Sequence, residues 1–116
     1  MEGERRMKVA ISRNDIQALG AALQFYWHFL LYNNAPSAKR SRELIEVQLL
    51  VVKIYLLPSV DLVDLAIEEL GHMQAALNVL ISQAKQRVPE TRGRDETIAS
   101  CERLRDDVNE AMMSKG

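Results

Sequence analysis

The sequence predicts an all-α protein, a four-helix antiparallel bundle that forms a dimer. Apolar residues recur at helical spacing along most of the chain, and no alternating strand pattern competes with them. Short turn segments with proline separate the helical stretches, which favours antiparallel neighbours. The second stretch is apolar around nearly its whole circumference, more than one short chain is expected to cover. With 116 residues, of which 47% are hydrophobic, the chain is predicted to form a single domain, residues 1–116.

The first helix is predicted over residues 13–33. Ser12 followed by Asp15 resembles a capping box at its start. Its apolar stripe consists of Ile16, Leu19, Leu23, Tyr26 and Leu30. The segment 33–37 contains two asparagines and a proline, which predicts a turn.

The second helix is predicted over residues 38–57, because Pro58 disfavours helical backbone in the residue before it. Its apolar residues are Leu44, Ile45, Val47, Leu49, Leu50, Val51, Val52, Ile54, Tyr55, Leu56 and Leu57. A helix that is apolar on all sides must be buried on all sides. We therefore predict a homodimer with this helix near the two-fold axis, supported by extra apolar residues on the first helix (Phe25, Trp27, Phe29, Leu31 and Tyr32).

The third helix is predicted over residues 59–88, with Ser59 as its N-cap. Its apolar seam is Val63, Ile67, Leu70, Leu77, Ile81 and Ala84. The fourth is predicted over residues 95–113, with Ile98, Cys101, Leu104, Val108 and Met112 facing inward. We expect no internal repeat in the chain.

Composition narrows the functional classes. The net charge of −1 gives no general attraction to nucleic acid or to an anionic membrane. The single cysteine, Cys101, excludes an intrachain disulfide and favours a cytoplasmic protein, and its inward position predicts packing rather than nucleophilic chemistry. The apolar stretch 18–32 is too short for a transmembrane helix, and residues 1–8 lack the features of a signal peptide.

Acidic motifs lie on both sides of Pro58. Glu43 and Glu46 come before it, and Glu69 and His72 come after it at similar separations. If the proline marks the turn of a helical hairpin, these four side chains meet at one height and form a candidate metal site. Clustered carboxylates suit Mg²⁺ or Mn²⁺, and the histidine shifts the preference towards Mn²⁺, iron or zinc.

Ordinary ion pairs are the alternative interpretation of the same residues. Glu46 has Lys53 on its own stripe, and Glu69 has Arg103 or Arg105 within possible reach on the fourth helix. His72 would then lie at the side of the apolar face of its helix, without a specific partner. Residue spacing alone does not separate these two interpretations.

The strings RELIEVQLLVVK (42–53) and EELGHMQAALNVLI (68–81) resemble the all-α NTP pyrophosphohydrolases of the MazG-like superfamily. The resemblance implies that Glu43, Glu46 and Glu69 hold Mg²⁺ against a nucleoside triphosphate, so that a bound water releases pyrophosphate. His72 stands where that family carries an aspartate. Imidazole is a poor Mg²⁺ ligand, so the departure implies an inactive relative or a different metal.

Glu69 and His72 also resemble the E-x-x-H motif of ferritin-like metal proteins. Those proteins need two such motifs, and this chain has one, with Glu46 and Glu110 as further candidate carboxylates.

Three functions therefore stay open. They are a non-catalytic dimeric bundle that binds another protein as an adaptor, immunity or regulatory factor, a metal-dependent nucleotide pyrophosphohydrolase, and a ferritin-like metal-binding protein. The sequence assigns no catalytic residue.

Overall fold

The structure is a computed structural model that describes residues 6–57 and 62–113. Its elements in chain order are β1 (Arg6–Ala10), α1 (Arg13–Asn33), α2 (Ala38–Tyr55), β2 (Leu62–Ala66), α3 (Ile67–Arg87) and α4 (Arg92–Met113). Helix α1 packs against α2 and α3, and α3 packs against α4. The predicted all-α four-helix fold is confirmed, with a small two-stranded sheet added to it.

The helix boundaries follow local sequence signals. Helix α1 begins and ends as predicted, and its capping box is present: the backbone N–H of Asp15 donates to Ser12 Oγ at 3.1 Å, and Ser12 N–H donates to the Asp15 carboxylate. Helix α2 ends at Tyr55, slightly before the predicted end, and α4 begins three residues earlier than predicted. The predicted turn at Pro58 and the predicted N-cap at Ser59 lie outside the described residues.

The prediction that the third helix extends back to residue 59 is wrong for residues 62–66, which form β2. This strand pairs antiparallel with β1, a second element that the sequence analysis missed. Val63 and Leu65 are buried and Asp64 between them is exposed, the alternation of a strand with one covered face. A run of only five residues was too short to distinguish from the apolar spacing of the helix that follows it.

The expectation of no internal repeat is also wrong. Adding 54 to each residue number takes α1, residues 13–33, onto α3, residues 67–87, and takes the first residue of α2 onto the first residue of α4. Several residues recur under this shift. Val9, Ala21, Ala22 and Leu23 return as Val63, Ala75, Ala76 and Leu77. The fold therefore consists of two β-α-α units that follow each other in the chain.

Contacts between the two units repeat as well. Val9 pairs with Val63, its own counterpart under the shift of 54 residues, next to the central Lys8–Asp64 pair of the sheet. A carboxylate at the third position of the first helix of each unit binds a cation on the second helix of the other unit. Asp15 accepts from Arg103 at 2.9 Å, and Glu69 accepts from Lys53 at 3.0 Å. Reciprocal contacts of this kind are what an approximate two-fold relation between the units produces.

Asp15 is the one buried charged residue in the described part of the chain, 6% exposed. Burial by itself raises the pKa of its carboxyl, but hydrogen bonds from Arg103 and Ser12 outweigh burial and hold the pKa below its ordinary value. The ionised form is therefore the one that the fold stabilises.

Replacing Asp15 with Asn should lower the free energy of unfolding at pH 7 by about 1–3 kcal/mol, because a charge-assisted contact is lost at a buried position. A group with a lowered folded pKa contributes stability above its unfolded pKa of about 4 and loses that contribution as pH falls through the folded value. The difference between wild type and D15N in urea unfolding should therefore shrink between about pH 5 and pH 2.

Asp106→Asn is the matched control, because the Asp106 side chain is 71% exposed and its contact to Arg105 spans 3.6 Å. It should change stability by less than about 0.5 kcal/mol. An equal loss in both variants, or a D15N deficit that does not vary with pH, would contradict this account of Asp15.

Candidate functional site

Two of the four predicted metal ligands meet across α2 and α3. Glu46 Oε1 lies 2.8 Å from His72 Nε2, and the imidazole side chain is 15% exposed. The carboxylate of Glu46 remains 46% exposed at the rim of this contact. The two acidic motifs therefore do face each other on neighbouring helices.

The third residue, Glu69, is occupied by contacts of its own. Its two carboxylate oxygens accept from Lys53 Nζ at 3.0 and 3.1 Å, and Oε1 also accepts from the backbone N–H of Ala66 at 2.8 Å. Lys53 additionally donates to the backbone carbonyl of Asp64 at 3.1 Å. Glu69 thus caps α3 and ties β2 and α3 to α2, a different pairing from those that the sequence analysis considered.

The fourth residue, Glu43, lies on the side of α2 that faces α1. Burial raises the pKa of the Tyr26 hydroxyl, and the negative charge of Glu43 raises it further. Among the residues that the structure describes, no group of three or more His, Cys, Asp or Glu side chains is arranged to hold a metal ion. The metal site formed by all four residues stays a prediction.

Replacing Glu69 with Ala should lower the free energy of unfolding by about 1–2 kcal/mol, because both the cap of α3 and the Lys53 contacts are lost. Gln keeps an acceptor for Ala66 N–H, so E69Q should lose about half as much. Chemical denaturation measures both losses. Glu68→Ala, at the exposed neighbouring position, is the control. A loss in E68A equal to that in E69A would contradict the assigned role.

The most unusual surface lies on α2. Ile45, Leu49, Val52 and Leu56 are 60%, 63%, 45% and 75% exposed, respectively. We call these four residues the outer stripe. Ile45, Leu49 and Val52 lie within α2 and Leu56 is its C-cap residue, still in right-handed helical conformation, so the spacing of four, three and four residues places all four along one side of the helix. The buried residues Val47, Leu50, Val51 and Ile54 centre about 180° away, so α2 is apolar on two opposite sides and the bundle covers one of them.

Helix α4 provides an internal comparison for this surface. The positions that correspond to the outer stripe under the shift of 54 residues are Ala99, Arg103, Asp106 and Glu110, and all four are exposed. The inner faces of the two helices agree, since Val47, Leu50 and Ile54 correspond to the buried Cys101, Leu104 and Val108. The two units therefore share one packing scheme and differ in the chemistry of the outer face.

An apolar groove borders the outer stripe where α2 meets α1. Trp27, Leu44, Ile45, Gln48 and Leu49 line a volume of about 220 Å³. The indole N–H of Trp27 donates to the backbone carbonyl of Leu44 at 3.0 Å, which fixes the ring at the edge of the groove. Further along, the ring of Tyr55 lies over Gly20, where an added Cβ would come within 2.5 Å of it.

Aromatic residues on α1 form a second exposed area. Tyr32 is 78% exposed and Phe25 is 39% exposed. His28 stacks on Tyr32 with ring centroids 6.4 Å apart. The His28 side chain is exposed. Together with Arg87 and Gln83 of α3, this area borders a further groove of about 220 Å³.

The predicted inward position of Cys101 is confirmed. Its side chain is buried, and burial raises the pKa of its thiol, which disfavours the reactive thiolate.

Sequence reasoning recognised the excess apolar surface of α2 but did not separate it into an inner and an outer stripe. The repeat would have supplied that separation, because the aligned positions on α4 show which side of the helix tolerates charge.

No match to this chain was found among protein-family models, curated protein sequences or solved structures. In the described part of the chain, no helix combines the length and the hydropathy that a membrane crossing requires.

Proposed function

We propose that this protein is a non-catalytic dimeric helical bundle that works by binding other protein chains, as an adaptor, immunity or regulatory factor does. The observation that carries the proposal is the outer stripe of α2. Four large aliphatic side chains in a row stay in contact with water, although the equivalent positions of the second unit are polar or small. Contiguous exposed apolar surface of this kind marks interaction sites in soluble proteins.

The dimer forms through the outer stripe. Completely burying a Val, Leu or Ile side chain contributes about 1.5–3 kcal/mol, and these residues are already partly covered, so each contributes about 1–2 kcal/mol. Eight such side chains across a symmetric interface contribute about 8–16 kcal/mol in total, comparable with the 4–15 kcal/mol that association costs. The aromatic area of α1, which lines a separate groove together with α3, is a second surface on which a different protein could bind.

Leu49→Glu tests the proposal. The substitution places a carboxylate at the centre of the interface in both copies, where it is buried without a partner. The dissociation constant of the dimer should rise at least about 100-fold. Light scattering after size-exclusion chromatography measures this as a shift from twice the 13.2 kDa chain mass to the chain mass itself.

The matched control is Ala99→Glu, which adds the same charge at an exposed position on the outer face of α4. It should leave the dimer intact. Circular dichroism should show that both variants keep the helical content of wild type, since both positions are exposed. A wild-type monomer, or a dimer that L49E does not weaken, would disprove the proposed interface.

A second candidate function is that of a MazG-like, metal-dependent pyrophosphohydrolase, which releases pyrophosphate from a nucleoside triphosphate. The contact between Glu46 and His72 favours this candidate, because the contact joins the two acidic motifs. It is also not repeated between the units, since Ser100 corresponds to Glu46 and Ala18 corresponds to His72. A cation bound by Glu46, His72 and Glu69 together would have to displace Lys53 from Glu69. The donor set as it stands does not fit a metal without that change.

Thermal shift with Mg²⁺ and Mn²⁺ tests this candidate. A cation that binds the native state raises the melting temperature by mass action. If the candidate holds, Mn²⁺ at millimolar concentration stabilises wild type and Glu68→Gln equally and does not stabilise Glu46→Gln. Absence of any shift with either metal would count against the enzyme and would leave the proposed binding function untouched.

A further inference from the structure

The outer stripe follows the seam pattern of a two-stranded coiled coil. Ile45, Leu49, Val52 and Leu56 alternate spacings of four and three residues, which are the positions d, a, d and a of successive heptads. Such a seam fits another helix with the same pattern. Resting on the proposed dimer, we infer that α2 pairs antiparallel with α2 of a second copy of this chain, with Leu49 opposite Val52 and Ile45 opposite Leu56.

Charges beside the stripe favour the antiparallel direction. Glu46 and Lys53 lie on the same flank of the stripe, at the e positions. In an antiparallel pair these positions of the two copies adjoin, so Glu46 of one copy faces Lys53 of the other, and this happens twice. Both side chains are partly exposed, 46% and 33%, so their opposite charges attract across the pair while each keeps its contact within its own copy.

The parallel alternative brings like charges together. Arg42 occupies the seam position that precedes Ile45 by three residues, and it is exposed. In a parallel pair each seam residue meets its own counterpart, so Arg42 would face Arg42. The parallel arrangement also places Glu46 and Lys53 beside Ser41 and Gln48 rather than beside opposite charges. Specificity between the two directions therefore comes from attraction in one and repulsion in the other.

The groove beside the stripe fits the same arrangement. Its walls are Trp27, Leu44, Ile45 and Leu49, and it opens next to Ile45. The antiparallel register places Leu56 of the second copy opposite Ile45. Leu56 is the most exposed aliphatic residue of the stripe, and the groove is apolar and of a size to receive it. The antiparallel register with Ile45 opposite Leu56 therefore covers the outer stripe and also fills the groove.

A crosslinking experiment determines the direction. Ile45→Cys and Leu56→Cys are prepared as separate full-length proteins, mixed, and treated with a bis-maleimide that spans less than about 10 Å. The antiparallel register predicts a crosslink between the two different variants in the mixture. It predicts none in either variant alone, because eleven residues of helix separate each cysteine from its counterpart by about 16 Å.

Wild type is the control for Cys101, which is buried and should not react. A crosslink in Ile45→Cys alone would overturn the antiparallel pairing and leave the α2 dimer standing. A dimeric mass with no crosslink in any sample would overturn both, because α2 would then not be the interface. A monomeric mass for wild type would overturn the proposed function itself.

Discussion

Helix α2 has apolar side chains on two opposite sides, and a chain of this length covers one of them. The inner side is held by the same packing that holds α4, with Leu50 and Ile54 buried like Leu104 and Val108. The outer side has no equivalent partner among the described residues. Leaving Ile45, Leu49, Val52 and Leu56 in water costs hydrophobic free energy, which the proposed association would recover. The proposed function depends on this imbalance.

Repetition of the β-α-α unit makes the imbalance informative. Two β-α-α units share strand pairing, a first helix of 21 residues and the capping carboxylates Asp15 and Glu69. Because the architecture is the same in both, it does not require an apolar outer face on α2. The α4 version with Arg103, Asp106 and Glu110 folds with that face exposed to solvent. The difference between the units is therefore not required by their shared architecture, and the proposed dimer gives it a physical reason.

Much of the helical fold was predictable from the sequence, because long amphipathic segments and capping residues give strong signals. Ser12 and Asp15 marked the start of α1 correctly. The strands were not predictable in the same way, because β1 and β2 have only five residues each. They are stabilised by pairing with each other, and the paired residues Lys8 and Asp64 are 56 positions apart in the chain. Of the candidate site, the motif spacing placed the two acidic motifs on facing helices, but it matched Glu46 with Glu69 and Glu43 with His72, whereas the structure pairs Glu46 with His72 and Glu69 with Lys53.

Comparison of the two units also separates the roles of the acidic residues. Glu69 corresponds to Asp15, and both cap a helix and bind a cation from the other unit. A role shared by both halves is a requirement of the fold, so the position of Glu69 needs no metal to explain it. Glu46 and His72 are different, because Ser100 and Ala18 stand at the equivalent positions and make no such contact. The Glu46–His72 contact is therefore a feature of the α2–α3 side that the shared packing of the two units does not explain.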